Sequence, residues 1–183
     1  VLIMGGGSGV GSFGIQIAKL YNCDVIATAS PDKLDKCLEL GADYAVDHRK
    51  EDWNKEVFKI SKEIAKTKGE APGIDVSFDH IGQTHWNKQI SMLKFGGTLV
   101  SCGATTGYDA KMDLRHVFFK GTNILGSTQG TKAELDQGLY WMGKGKIKAA
   151  IDSIHSFEQA AEAHKKMLTA KQFGKILLKP EGA

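Results

Sequence analysis

The chain has 183 residues, of which 42% are hydrophobic and 25% are charged, and its formal net charge is +3. That size and composition are typical of a globular domain with a packed core, alone or with a fragment of a second domain. So mild a charge, with no block of Lys and Arg, does not indicate a nucleic acid partner, and no apolar run approaches the roughly 18 residues of a membrane helix.

The first twenty residues predict a nucleotide-binding turn. A short apolar strand at 2–4 meets a glycine cluster, and the cluster opens directly into a helix at about 10–21. Such a turn lets backbone N–H groups and a helix N-terminus approach a phosphate with no side chain between them. Because the strand is already running at Val1, we expect the chain to be part of a longer protein. Four apolar side chains share one face of the predicted helix: Val10, Phe13, Ile17 and Tyr21.

Two glycine spacings in this cluster fit a G-x-G-x-x-G pattern imperfectly. The first runs from Gly6 to Gly11 and has Ser8 in place of the second glycine, whereas the second runs from Gly9 to Gly14 and begins inside the presumed helix. We favour the first, because Gly6 directly follows the strand and Gly11 would allow close packing of helix on strand. The alternative is a tight turn that binds no ligand, but the strand, turn and helix together favour a nucleotide site.

Strand-like and helix-like segments alternate through the rest of the chain. Further strands are predicted at 24–29, 44–46, 74–78, 98–102 and 123–125, with a turn at Gly96 and Gly97 and helical segments between most of the strands. Thr131 and Glu134 form a capping box for a later helix. Repeated β-α units indicate a parallel sheet with right-handed crossovers and helices on both faces. The predicted fold is therefore a doubly wound α/β (Rossmann) domain over residues 1–146.

Residues 147–183 form a C-terminal segment of a different kind. We predict a strand at 147–154, a helix at about 156–169 and a closing strand at 173–178. This segment could belong to a second lobe whose remainder is absent.

The end of the second strand indicates which dinucleotide would bind. NAD-binding chains place an acidic residue there, about 20 residues after the glycines, but this sequence has Thr28, and Asp24 and Asp32 are poorly placed. Ser30 and Lys33 could bind a 2′-phosphate, and a bound phosphate would offset the unfavourable position of Lys33 in the first turn of a helix. The sequence thus favours NADP over NAD. The alternative is that Ser30 only caps the helix and Lys33 is a solvated lysine.

His48 and Arg49 follow the third strand. They could flank the adenine, add charge to the phosphate site, or form an exposed loop pair with no such role.

No catalytic or metal-binding set is evident. The six histidines form no metal-spaced pair with another His or Cys, and no G-x-S-x-G nucleophile elbow is present. His80 follows the fourth strand at the edge where ligands of such sheets lie, but a polar residue without a chemical role is the simpler interpretation. Cys102 is predicted to pack as a small apolar side chain. Three cysteines without a CxxC pair suit reduced thiols, and hence a cytoplasmic protein.

Nearly the whole chain resembles the cofactor-binding half of a medium-chain dehydrogenase/reductase, in the branch of zinc-type alcohol dehydrogenases and quinone oxidoreductases. The most specific stretches are the glycine turn and the segments 103–107, 113–119 and 124–131. The tail at 160–164 and 173–177 is similar to the family's closing segment, which returns toward a GroES-like catalytic domain. The resemblance implies an oxidoreductase that transfers hydride between nicotinamide and an alcohol, aldehyde, quinone or enone. This chain alone would bind cofactor without turnover.

The resemblance also implies site residues. Ser8, Gly9 and Val10 would line the pyrophosphate. Thr28, Ser30 and Lys33 would meet the adenosine ribose and its phosphate, with His48 at the adenine. The nicotinamide carboxamide would be held by backbone at Cys102, Gly103, Ala104, Ser127 and Gln129.

Partners follow from the same resemblance. The substrate, and zinc if the enzyme uses it, would lie in an N-terminal catalytic domain that this chain lacks. A homodimer would form through the sheet edge from Asn123 to Leu125, because an uncovered apolar edge favours pairing.

Two other functions fit the sequence less well. A non-catalytic nucleotide-binding or dimerisation module would explain the absence of catalytic residues. An S-adenosylmethionine methyltransferase shares the glycine turn but needs an acid where Thr28 stands.

Overall fold

The computed structural model describes residues 1–180 and 182. Its strands and helices alternate along the chain as the sequence predicts. The strands are β1 (Leu2–Ile3), β2 (Ile26–Ala29), β3 (Tyr44–Asp47), β4 (Ile74–Asp79), β5 (Leu93–Ser101), β6 (Asn123–Gly126), β7 (Ile151–Ser156) and β8 (Lys175–Lys179). The helices are α1 (Gly9–Leu20), α2 (Leu34–Glu39), α3 (Trp53–Lys68), α4 (Trp86–Met92), α5 (Leu114–Lys120), α6 (Lys132–Gly143) and α7 (Ala160–Leu168). Short 3₁₀ turns precede α2 and α7, at Pro31–Lys33 and Phe157–Gln159.

Six parallel strands form the main sheet in the order β3-β2-β1-β4-β5-β6. This order reverses direction between β1 and β4, which is the topological switch point where doubly wound sheets bind ligands. The predicted doubly wound α/β fold is therefore confirmed. β7 and β8 form a separate parallel pair joined through α7.

Apolar side chains fill both faces of the main sheet. One cluster gathers Trp53 and Val57 of α3 with Ile90 of α4 on buried strand residues, and all three are fully buried. The other cluster contains Ile15 of α1 and Cys37 of α2, which pack on strand residues that point to the opposite face of the sheet. Because successive strand residues point to opposite faces, two separate clusters are what helices on both sides of one sheet produce.

The buried side of α1 differs from the apolar face that the sequence suggested. Gly9, Gly11, Ser12, Ile15 and Gln16 are its buried residues, while Val10 and Tyr21 are exposed. Small residues let this helix approach the sheet closely, so backbone proximity outweighs side-chain hydrophobicity.

Three elements also differ from the predicted ones. Gly96 and Gly97 lie within β5, where the register against β4 shifts, rather than in a separate turn. The helix α5, inside a region of mixed polarity, had no predicted counterpart among the elements. The strand predicted at 147–154 begins only at Ile151.

The far end of the sheet is poorly covered. Every residue of β6 is exposed, and neither α5 nor α6 has a buried residue. The capping box predicted for α6 is present, with Thr131 and Glu134 bonding each other's backbone N–H. The exposed apolar side chains of α6, among them Leu135 and Leu139, are therefore available to another surface.

Candidate functional site

The glycine turn between β1 and α1 is built from backbone hydrogen bonds. Ser8 N–H donates to the Gly5 carbonyl at 2.9 Å, and Gly6 N–H donates to the Thr28 carbonyl at 2.7 Å. The Ser8 hydroxyl caps α1 by accepting from Gly11 N–H at 2.9 Å. A Cβ at Gly11 would overlap the Gly5 carbonyl, so this glycine gives the close packing that the favoured glycine spacing requires.

His80 joins this turn directly. Its Nε2 lies 3.1 Å from the Ser8 hydroxyl, in a hydrogen bond that spans 72 residues of sequence. A Cβ at Gly5 would lie 3.0 Å from the His80 ring. Burial lowers the pKa of His80, so the ring is neutral at neutral pH. The sequence signal for this residue is its position just after β4, although that position alone predicts only a polar residue without a chemical role.

Asp79 fixes the turn that carries His80. Its carboxylate is fully buried and accepts from Gly82 N–H at 3.0 Å and from the Gln89 amide at 2.8 Å. Gln89 in turn accepts from the Ser77 hydroxyl at 2.7 Å. A buried carboxylate that is satisfied by such donors holds the backbone after β4 in one conformation.

The end of β2 presents an unsatisfied hydroxyl. Ser30 is 6% exposed, and within the described part of the chain its Oγ has no hydrogen-bond partner. Its side chain does not cap the following turn as one interpretation predicted. Lys33 extends over Gly7 and donates to the Ala170 carbonyl at 2.6 Å. Thr28 is fully buried, and its hydroxyl is bonded to Gly5 N–H, so that hydroxyl organises the turn. The ribose contact that the resemblance implies for Thr28 stays a prediction.

His48 lies against His85 at the end of β3. The two ring centroids are 5.6 Å apart, and His85 packs edge-on against Trp53 at 5.3 Å. Burial, with a contribution from His85, lowers the pKa of His48 to about 4, and its buried Nδ1 has no partner. His48 is therefore neutral at neutral pH and adds no charge to a phosphate site, whereas Arg49 beside it is exposed and 4.0 Å from Asp32.

The C-terminal segment crosses the glycine turn, which the sequence did not predict. Gly174 N–H donates to the Gly7 carbonyl at 2.8 Å, and Phe173 is buried in the cluster under α2. The next side chain, Lys175, lies over Gly9, where a Cβ would overlap its Cε. Lys33 and Lys175 thus approach the same turn from two elements. No acidic residue occupies the first turn of α1, so a bound anion would relieve the opposition between these cations and the helix dipole.

The residues implied for the nicotinamide end follow β5 and β6. Cys102 N–H donates to the Asp79 carbonyl at 2.9 Å, and a Cβ at Gly103 would lie 3.1 Å from the His80 carbonyl. Ser127 N–H donates to the Ser101 carbonyl at 2.8 Å, so β6 ends beside β5. Cys102 is exposed rather than packed, contrary to its predicted role, and desolvation raises its pKa. Ala104 and Gln129 lie in the same two loops, both exposed.

Apart from Thr28, which lies within β2, the predicted site residues follow the carboxyl ends of parallel strands, at one edge of the sheet. Within the described residues there is no group of three or more His, Cys, Asp or Glu side chains suited to a metal ion. None of the helices in the described part of the chain is both long and apolar enough to cross a membrane. The buried, unpartnered Ser30 hydroxyl and the glycine cradle below two lysines suit an anionic dinucleotide.

Comparisons with known proteins agree with this geometry. A family model described as zinc-binding dehydrogenase matches residues 9–144. Crotonyl-CoA reductase of Streptomyces collinus is 28% identical over 99% of this chain and 43% of its own length. Among solved structures, an NAD-dependent alcohol dehydrogenase is 37% identical, with a TM-score of 0.85, over 97% of this chain and 50% of its own.

A second solved structure is the 2-octenoyl-CoA carboxylase reductase CinF in complex with NADP and 2-octenoyl-CoA. It is 26% identical, with a TM-score of 0.82, over 97% of this chain and 42% of its own. The chain thus spans about half the length of the relatives that it matches.

Proposed function

Since the chain belongs to the zinc-binding dehydrogenase family of medium-chain dehydrogenases/reductases, we propose that it is the cofactor-binding half of an oxidoreductase that uses NADP(H). The observation that carries the choice of cofactor is the Ser30 hydroxyl, which is buried without a hydrogen-bond partner among the described residues. Lys33 belongs to the same turn, because its N–H donates to the Ser30 carbonyl at 2.9 Å. A 2′-phosphate would supply the missing partner and a counter-ion for Lys33. The complex of CinF with NADP supports this choice, whereas the NAD-dependent alcohol dehydrogenase favours the alternative.

Each part of the site has a distinct role in this proposal. The N–H groups at Gly9 and Val10, with Lys175 above them, would bind the pyrophosphate, while Gly11 N–H is already bonded to the Ser8 hydroxyl. Gly6 and Ser8 shape that turn, and His80 holds Ser8 in place. His48, neutral and half-buried, would contact the adenine edge.

The loops after β5 and β6 would orient the nicotinamide. Backbone at Cys102, Gly103, Ala104, Ser127 and Gln129 would hold the carboxamide and so fix which face of the ring meets the substrate. When bound, the cofactor supplies or accepts the hydride. This chain's own part is to bind and orient it.

We further propose that the substrate of the whole protein is a carbonyl compound with a conjugated double bond, such as an enoyl thioester. The names of the crotonyl-CoA and 2-octenoyl-CoA reductases support this class, which includes the enones predicted from the sequence. Alcohol oxidation is the second candidate, supported by the alcohol dehydrogenase structure. Full-length protein incubated with NADPH and crotonyl-CoA would consume the NADPH, whereas consumption only with an aldehyde would favour the alternative.

The other half of the protein would cover α6. Leu135, Leu139 and Tyr140 are between 54% and 62% exposed on a helix of twelve residues, and isolated helices that short are marginal in water. We expect amide exchange in α6 to be fast in this chain and slow in the full-length protein, in which an N-terminal catalytic domain, with zinc if it is used, would pack there. Equal exchange would contradict this.

A homodimer would form at the open edge of the sheet. β6 exposes its whole length, including Leu125 at 53%. Leu125→Lys would place a charge in a paired edge and is expected to give monomers in sedimentation, while Leu168→Lys, at an exposed position on α7, would not. A dimer that survives Leu125→Lys would argue for another interface.

Calorimetric titration with NADPH and NADH tests the cofactor assignment. Lys33→Ala should weaken NADPH binding about 10- to 100-fold, as expected for loss of a charged hydrogen bond of about 1.5–3 kcal/mol, and should weaken NADH binding far less, because NADH lacks the 2′-phosphate. Lys59→Ala, which removes an exposed lysine of α3, is the matched control. Equal losses for the two cofactors would rule out the 2′-phosphate contact, and binding of neither would contradict the proposal for this chain.

A further inference from the structure

Asp152 is a largely buried carboxylate in the C-terminal segment. Its side chain is 11% exposed, and it pairs with Lys166 of α7. One carboxylate oxygen accepts from Phe173 N–H at 3.0 Å, and the other accepts from the Ser153 hydroxyl at 3.1 Å. Burial alone would raise the pKa of Asp152, but the hydrogen bonds from Lys166 and from Phe173 N–H outweigh it and hold the pKa below its ordinary value. The group is therefore an anion that carries several structural bonds.

The residue that Asp152 holds begins the stretch that crosses the glycine turn. Phe173 is 8% exposed. Gly174 N–H donates to the Gly7 carbonyl at 2.8 Å, and Lys175 N–H donates to the Ala150 carbonyl at 2.9 Å. Gly174 has a φ of +79°, and a Cβ there would overlap Ala150. Hydrogen bonds to Gly7 and to Ala150 thus hold the backbone of 173–175 in one conformation, and that conformation fixes the direction of the Lys175 side chain.

We propose that Asp152 is a positioning residue for the dinucleotide site, which fixes the segment 173–175 and thereby holds the ammonium of Lys175 over the start of α1. The inference rests on the proposed function, since it needs an anionic ligand at that turn. Asp152 touches no ligand itself. It acts through Phe173 N–H, the bond of Gly174 to Gly7, and the direction of Lys175.

Several charged groups other than Asp152 are excluded from this role by their positions. Lys166 pairs with Asp152 from α7 and donates to Ser153 at 3.0 Å, so it neutralises the carboxylate rather than reaching the turn. His155 bonds the same Ser153 hydroxyl at 3.1 Å. Lys33 reaches the turn from the other side and is bonded to Ala170. Among the residues that the structure describes, Asp152 alone connects these groups to the backbone at Phe173.

The test is a double-mutant cycle on dinucleotide affinity. Asp152→Ala and Lys175→Met should each weaken NADPH and NADH alike, by about tenfold, because both cofactors carry the pyrophosphate. In the Lys175→Met background, Asp152→Ala should cost less than twofold more, because the residue through which it acts is gone. Asp152→Asn keeps an acceptor for Phe173 N–H and should recover most of the affinity. Asp136→Ala, which removes an exposed carboxylate of α6, is the control for charge.

The outcomes separate this inference from the cofactor assignment. If the two substitutions are fully additive, so that Asp152→Ala costs as much affinity without Lys175 as with it, Asp152 has a general structural role and the proposal is overturned. If Asp152→Ala fails to fold, the same cycle is run with Asp152→Ser, whose shorter side chain does not reach Phe173 N–H, and amide exchange at 173–175 should rise in Asp152→Ser and fall when NADPH binds. Loss of NADPH preference in Lys33→Ala is independent of both results, so the proposed function stands or falls separately.

Discussion

Gly11→Ala tests whether the glycine turn is held by contact between backbones. A Cβ at Gly11 would overlap the Gly5 carbonyl and lie 2.7 Å from Gly6 Cα, so either α1 or the turn must move. Gly14, one turn later on the same helix, is a matched control, because a Cβ there would meet Ile3 and Phe78 side chains at 3.4 Å, an ordinary contact distance.

The expected magnitudes follow from these contacts. Replacing glycine by alanine inside a helix contributes about 1 kcal/mol at either site. At Gly14 that gain should survive almost entirely. At Gly11 it is opposed by an overlap with backbone, which no rotamer change can relieve, at a cost of about 3 kcal/mol. We therefore expect Gly14→Ala to be stabilised by about 1 kcal/mol and Gly11→Ala to be destabilised by about 2 kcal/mol.

Urea and thermal unfolding measure the difference directly. For a chain of this length the two variants should differ in Tm by about 6–12 °C. Gly11→Ala should also bind NADPH at least about tenfold more weakly, because the displaced N–H groups are those that would contact the pyrophosphate. Equal unfolding midpoints for the two variants would refute the argument that backbone contact fixes the turn.

Three further predictions concern other parts of the fold. In the folded chain the pKa of His48 is about 4, below its ordinary 6.5, so the unfolded chain takes up the proton first, and the free energy of unfolding should fall as the pH drops from about 6.5 toward 4. In His48→Asn the urea midpoint should depend less on pH over that range. An unchanged pH dependence would count against a buried neutral ring. Gln89→Leu leaves the Ser77 hydroxyl and part of the Asp79 carboxylate unpaired, and should lower the free energy of unfolding by about 2–4 kcal/mol; a loss below about 1 kcal/mol would mean that the network is not closed to water. Thr131→Ala removes the capping box of α6 and should speed amide exchange in that helix alone, with no change in the sheet; exchange that rises throughout the chain would show that α6 supports the core.

The alternation of strands and helices was predictable from the sequence because each depends on local patterns. β2 is a short buried run, β4 alternates apolar and polar residues, and the ends of helices carry their own signals, as at Thr131 and at Gly41. The glycine turn was predictable for the same reason. A strand, a cluster of glycines and a helix, in that order, leave few other conformations.

Contacts between distant segments were decided only by the tertiary structure. The buried side of α1 follows from how closely its glycines approach β1, which side-chain hydrophobicity does not reveal. His80 reaches Ser8 across 72 residues, and no local pattern of either residue specifies that bond. Likewise, the Thr28 hydroxyl accepts from Gly5 N–H across 23 residues of sequence, a bond that no local pattern specifies.

The C-terminal segment shows most clearly the difference between what local sequence predicts and what the packing of the whole chain decides. Its sequence predicts a helix and a final strand, and both are present as α7 and β8. Gly174 bonds Gly7, and Lys175 consequently lies over Gly9, only because folding brings together segments that are far apart in sequence. Local propensities decide which residues form helices and strands, but the packing of the whole chain decides which side chains meet at the edge of the sheet, because the site is assembled from loops that are distant in sequence.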